Sequence, residues 1–135
     1  MKVVLDTNVI VAAFASHGLC HLVFETVVAN HTLIISPYVL KEIERAFIKK
    51  IKTTTTRCNE VIRFLKNQGT LLKDVSDNVD LECRDPNDLH ILTLAVHSKA
   101  NVLVSGDQDL LVLKRVQNIP ILSPREFWEM LRSQS

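Results

Sequence analysis

Asp6, Glu42, Asp88, Asp107 and Asp109 are the residues of this chain whose type and spacing point to chemistry. Asp6 follows a run at 2–5, apolar from Val3 to Leu5, that reads as a β-strand. Glu42 lies in the helix expected after a second run at 33–36. Asp88 opens a helical run at 89–97. Asp107 and Asp109 follow a third apolar run at 102–105. In an open α/β sheet, groups just beyond the carboxyl ends of the strands face one crevice. Carboxylates held that close repel one another unless a cation neutralises them. The pattern therefore predicts a divalent-metal site built from oxygen ligands.

The four local contexts carry different weight. In VVLDTNVI, an aspartate directly after a strand has a fixed backbone, and Thr7 and Asn8 stand ready to orient it and to cap the next helix. A role for Asp6 purely as a helix cap is the structural alternative. In SPYVLKEIERAF, Glu42 sits one turn into its helix, where the helix dipole alone would favour an acid; Glu44 is expected to face solvent. In CRDPNDLHILTLAV, Asp88 begins an amphipathic helix and overhangs the crevice. Asp85 competes with it, but a residue before proline suits a turn better. In LVSGDQDLL, Gly106 allows a tight turn, and two aspartates one residue apart can share one cation. This Asp-x-Asp after a strand is the most specific single signal, although aspartate is also a common helix starter.

The elements that must position these acids alternate. Strands are expected at 3–5, 33–35, 71–75, 102–104 and 119–122. Helices are expected at 8–15, 20–28, from Ser36-Pro37 onward, 57–67, 88–98, 107–114 and 125–132. Ser36 and Ser123 precede prolines, the pattern of an N-cap followed by proline in the first turn. Val39, Leu40, Ile43 and Phe47 form a buried helix face, as do Ile91, Leu92 and Ala95. Thr53–Thr56 reads as a break within a flexible insert at 51–57. Gly69 reads as a C-cap, and Asn87 as the cap of the Asp88 helix. The repeated β–α order predicts an α/β fold, with a parallel sheet of four to five strands between helices on both faces.

The chain has 135 residues, 47% hydrophobic and 23% charged, which fits one globular domain spanning 1–135. No apolar run approaches the ~20 residues of a membrane span. A strand starting at Lys2 leaves no room for a signal peptide, so a cytoplasmic protein without a membrane role is expected. Cys20, Cys58 and Cys83 are odd in number and lack a CxxC pair, so free thiols are expected. Net charge is +1, but residues 41–66 carry a balance of +5 and residues 74–109 a balance of −6. A basic lobe beside an acidic pocket suits a polyanion held near a metal. The cluster His17, Cys20, His21 has no zinc-type spacing. His90 and His97 read as surface or packing residues. Phe127, Trp128 and Leu131 read as core. There is no glycine-rich phosphate loop and no serine elbow.

VVLDTNVI, SPYVLKEIERAF, DPNDLHILTLAV, LVSGDQDLL and IPILSPREFWEML, in this order, resemble the PIN-domain proteins. They look most like the group regarded as toxins of toxin–antitoxin pairs (VapC-like ribonucleases). The resemblance implies a PIN-like α/β/α fold and metal-dependent cleavage of RNA. It maps a catalytic acidic quartet onto Asp6, Glu42, Asp88 and Asp107. Asp109 matches a further acid, so Asp6, Asp88, Asp107 and Asp109 are the implied metal ligands. Asn8 and Ser105 match supporting polar positions. It also implies an antitoxin partner and a homodimer. Hard Mg²⁺ or Mn²⁺ suits such an oxygen cage. Lys41, Arg45 and Lys49 are the candidate contacts to RNA. Phosphoryl transfer of the haloacid type would want an aspartate at position 8, where Asn8 stands; a receiver would want an acidic pair after the first strand and a late lysine. A non-catalytic RNA- or partner-binding module with a structural ion is the remaining alternative.

Overall fold

The computed structural model describes residues 1–50, 52–73 and 86–134. Cys83, Asp85, the other acids of 74–85, the far end of the strand expected at 71–75 and the start of the insert expected at 51–57 lie outside them.

β1 (Lys2–Leu5) is the pivot of the sheet. Val3, Val4 and Leu5 are all buried, the environment of a central parallel strand covered on both faces. The chain continues through α1 (Thr7–Ala15), α2 (Leu19–Asn30), β2 (Thr32–Ile35), α3 (Pro37–Lys49), α4 (Thr55–Gln68) and β3 (Thr70–Leu71). Beyond the undescribed stretch come α5 (Pro86–His97), β4 (Val102–Val104), α6 (Gln108–Leu111), β5 (Arg115–Val116), β6 (Ile119–Leu122) and α7 (Pro124–Ser133). The strand order is β3-β2-β1-β4-β6-β5. β2 and β4 pair with β1 in parallel from opposite sides, Val3 facing Leu33 on one and Val102 on the other. The chain thus reverses its winding direction between β1 and β4. In an open α/β sheet, that is where the crevice forms.

The five parallel strands are those expected from the sequence. The sixth, β5, is an antiparallel edge strand that the sequence pattern left unassigned, just beyond the helix expected at 107–114. Only one turn of that helix forms. Lys114 and Gln117 adopt left-handed backbone (φ 64° and 52°), and a two-residue turn returns the chain as a hairpin.

Other boundaries shift for local reasons. α4 starts at Thr55 because the Thr54 hydroxyl caps it, accepting from Arg57 N–H at 3.2 Å. The break lies before it, at Lys52 (φ 52°). α5 starts at Pro86, so Asp88 falls inside its first turn and Asn87 within the helix rather than at its cap. Gly69 does cap α4, but in extended conformation. Its requirement is space, since a Cβ there would lie 2.9 Å from the Leu65 carbonyl oxygen.

Ser36 caps α3 through Val39 N–H at 3.2 Å, and Val39, Leu40, Ile43 and Phe47 are the buried face anticipated. Phe127 is fully buried, and Trp128 and Leu131 pack on the core around it. Phe14 links α1 to α2, α3 and α4 through Phe24, Phe47 and Phe64, with ring centroids 5.1–6.3 Å apart. Among the described residues, no single helix is long and apolar enough to cross a membrane.

Candidate active site

Asp6 emerges from the carboxyl end of β1, and its two oxygens do different work. Oδ1 accepts from Thr7 N–H at 2.8 Å and caps α1, so the cap is Asp6 itself rather than Thr7 or Asn8. Oδ2 accepts from the Ser105 hydroxyl at 2.8 Å. The Asp6 N–H donates to the Val104 carbonyl at 2.8 Å, so β1 and β4 hold it from the backbone as well. The capping alternative is therefore true of one oxygen and leaves the other facing β4.

Ser105, at the end of β4, is fully buried. Its oxygen also accepts from Asp107 N–H at 3.0 Å. One serine thus ties the acid after β1 to the acid after β4. This serine shapes the turn; Gly106 has no positive φ, and a Cβ there would meet nothing within 4 Å. Asp107 then caps α6, accepting from Asp109 N–H at 2.9 Å.

A cavity of about 360 Å³ opens beside these groups. Asp6, Glu42, Asp88 and Asp107 all line it, together with Asn8, Tyr38 and Lys50. Glu42 reaches it from the second turn of α3; no acid occupies the first turn there, so the helix dipole does not account for this glutamate. Glu44 is exposed, as anticipated. Burial pushes the Asp6 carboxyl above its ordinary value. The hydrogen bonds from Ser105 and Thr7 pull it partly back, and the charges of Asp107 and Glu42 push it up again. A carboxylate so placed is costly to ionise without a compensating cation.

Asp88, Asp107 and Asp109 form the tightest group, each offering an oxygen within 4.8 Å of the others. Hard divalent ions bind carboxylate oxygens at roughly 2.0–2.6 Å, so ligands on opposite sides of one ion stand up to about 5 Å apart. The three acids fit such an ion in donor type and spacing. Asp109, anticipated as an accessory acid, belongs to this group. Asp6 does not; it faces the same cavity from the β1 side, with Glu42.

The basic candidates divide. Arg45 and Lys49 line a groove of about 240 Å³ that adjoins the acidic cavity, whereas Lys41 is exposed and lines neither. Sequence reasoning missed two residues. Lys50 lines both the cavity and the groove. His90 is exposed but stacks on Tyr38, with centroids 3.7 Å apart and planes 13° from parallel. Neither had a signal beyond residue type, because each depends on how α3 and α5 pack. His17 and His21 meet edge to face at 5.2 Å, and His21 Nε2 lies 3.1 Å from Glu25. They form no metal-type cluster among the described residues. Cys20 and Cys58 are free thiols whose pKa values burial raises, the condition of unreactive cysteines.

The sequence matches the family model described as PIN domain over residues 2–109, a span containing all five acids. Among solved structures, the chain is similar to VapBC2 from Rickettsia felis bound to a DNA fragment from their promoter. The identity is 19%, covering 91% of this chain and 98% of that chain, with a TM-score of 0.64. It is also similar to VapBC-1 from nontypeable Haemophilus influenzae, at 18% identity, covering 93% and 99% of the two chains, with a TM-score of 0.66. At these identities the likeness is one of fold. No curated protein matches the chain.

Proposed function

This chain belongs to the PIN-domain family, and on that premise we propose that residues 1–135 form one nuclease domain that hydrolyses RNA phosphodiester bonds with Mg²⁺ or Mn²⁺. The observation that carries the reading is the convergence of Asp6, Glu42, Asp88 and Asp107 on one cavity, with Asp109 completing a set of three closely spaced carboxylates. Asp88, Asp107 and Asp109 would hold the ion. Asp6, fixed by Ser105 and Thr7, would complete the cage from the β1 side. When bound, the ion supplies Lewis acidity at the phosphoryl oxygen and makes water a stronger acid.

The chain's own side chains do the rest. Glu42, on α3, accepts a hydrogen bond from the attacking water and takes up its proton. Ser105 keeps Asp6 and Asp107 in register. Asn8 offers an amide at the cavity wall. No covalent nucleophile is required, which agrees with the lack of a serine or cysteine elbow in the sequence.

The similarity to two VapBC structures supports a role as the toxin of a toxin–antitoxin pair with an antitoxin protein as partner; a second copy of this chain as a further partner rests on the family resemblance. The deciding experiment incubates purified protein with single-stranded RNA in Mg²⁺, Mn²⁺ or EDTA, beside Asp6→Asn. Metal-dependent cleavage lost in the variant is the expected result. RNA binding without cleavage would replace the enzyme with a binding module. Equal degradation by both proteins would point to a contaminant and overturn the assignment. Co-expression with a neighbouring small reading frame that restores host growth tests the toxin role.

A further inference from the structure

We infer that single-stranded RNA leaves the acidic cavity along the groove on α3, and that Lys50 positions its backbone where cavity and groove meet; this rests on the nuclease reading above. The two concavities are continuous, since Thr7, Asn8, Glu42 and Lys50 line both. Their charge changes sign along the way. Among the described residues, four carboxylates and a single cation, Lys50, line the cavity. In the groove, Arg45 and Lys49 join Lys50 against Glu42 alone.

The groove follows from helix geometry. Glu42, Arg45, Ala46 and Lys49 are spaced i, i+3, i+4, i+7, which places them on one face of α3. Ala46 is the small residue among them and leaves room between the charged ones. None of Arg45, Lys49 and Lys50 forms an ion pair among the described residues, so their charges remain available to an anion.

Such an arrangement suits a ligand that brings one negative charge to the metal and repeats it along its length. A nucleic-acid backbone has that character, and phosphate contacts fix its register. A single strand is favoured by the second edge of the site. Tyr38 lines the cavity and stacks on the exposed ring of His90, an aromatic pair beside the acids that an unpaired base can extend. Lys50 is therefore a positioning residue, holding the phosphate next to the one at the acids.

Fluorescence anisotropy of a labelled single-stranded RNA tests this, with Ca²⁺ as the ion, against increasing salt. Lys50→Ala is expected to reduce the slope of log K against log salt by about 0.7, and the triple variant of Arg45, Lys49 and Lys50 to alanine by about 2. Lys50→Arg is expected to restore the slope, and Lys66→Ala, on exposed α4 surface, to leave it unchanged. Melting temperatures, read in parallel, are expected to match, because these side chains are exposed. An unaltered slope in Lys50→Ala, or an equal loss in Lys66→Ala, overturns the inference while wild-type cleavage leaves the nuclease reading intact. Wild-type protein that neither binds nor cleaves RNA overturns both.

Discussion

Asp107→Asn should make the metal-free protein more stable and the metal-loaded protein less so. The substitution is nearly isosteric. Its amide oxygen can still accept from Asp109 N–H, and asparagine caps helices about as well as aspartate, so α6 is preserved. What disappears is charge. Asp88 and Asp107 are both half-buried, with oxygens within 4.8 Å of each other. At that separation two unit charges repel by about 1 kcal/mol in bulk water and about 3.5 kcal/mol at the effective dielectric of a protein surface.

For a chain of 135 residues, unfolding entropy of ~2.1 cal/mol/K per residue converts 1 kcal/mol into roughly 3–4 °C. In EDTA the variant should therefore melt at least about 3 °C above wild type. A ligand at a hundred times its Kd adds about 2.7 kcal/mol, or roughly 9 °C for a chain this size. Wild type should gain that much in Mn²⁺ or Mg²⁺, and the variant far less, so the two melting curves exchange order. Thermal melts followed by circular dichroism in EDTA and across a metal titration give the answer without any substrate. A variant that melts below wild type in EDTA, together with equal metal shifts in both proteins, would refute the cation cage.

Three further outcomes follow from the same geometry. Because Asp6 titrates above its ordinary value of 3.8 in the folded protein, the folded state keeps a proton that the unfolded chain has lost. Its contribution therefore lowers stability as pH rises through that window, and the cost is complete above the folded value. In metal-free protein, Asp6→Asn should match wild type near about pH 3 and exceed it increasingly toward about pH 7, measured by urea denaturation across pH. Ser105→Ala removes two hydrogen bonds from a fully buried position, to Asp6 Oδ2 and from Asp107 N–H. It should cost about 1–3 kcal/mol in urea melts and weaken metal binding by calorimetry. Phe127→Ala empties a fully buried site and should cost about 3–5 kcal/mol, enough to lower the melting temperature by more than 10 °C by scanning calorimetry.

The residues alone determined a good deal. Apolar runs separated by helix-period segments dictated parallel strands between helices, because a strand covered on both faces needs a continuous hydrophobic run. Ser36-Pro37 and Ser123-Pro124 marked two helix starts to within one residue, since capping is a local interaction. The short hairpin of β5 and β6 was not legible, because left-handed Lys114 and Gln117 carry no glycine signature. The start of α5 was misplaced by two residues, because proline is as compatible with the first helical position as with the turn before it.

At the site, the sequence supplied five acids but not their grouping. β1 and β4 are about a hundred residues apart, and only their pairing sets Ser105 against both Asp6 and Asp107. The same pairing gathers Asp109 with Asp88 and leaves Asp6 on the facing side with Glu42. Lys50 and the Tyr38–His90 stack belong to the packing of α3 and α5 around the cavity, a relation between distant surfaces that no local pattern encodes. Residue type decided which charges the protein has; long-range strand order decided which of them must share one small volume.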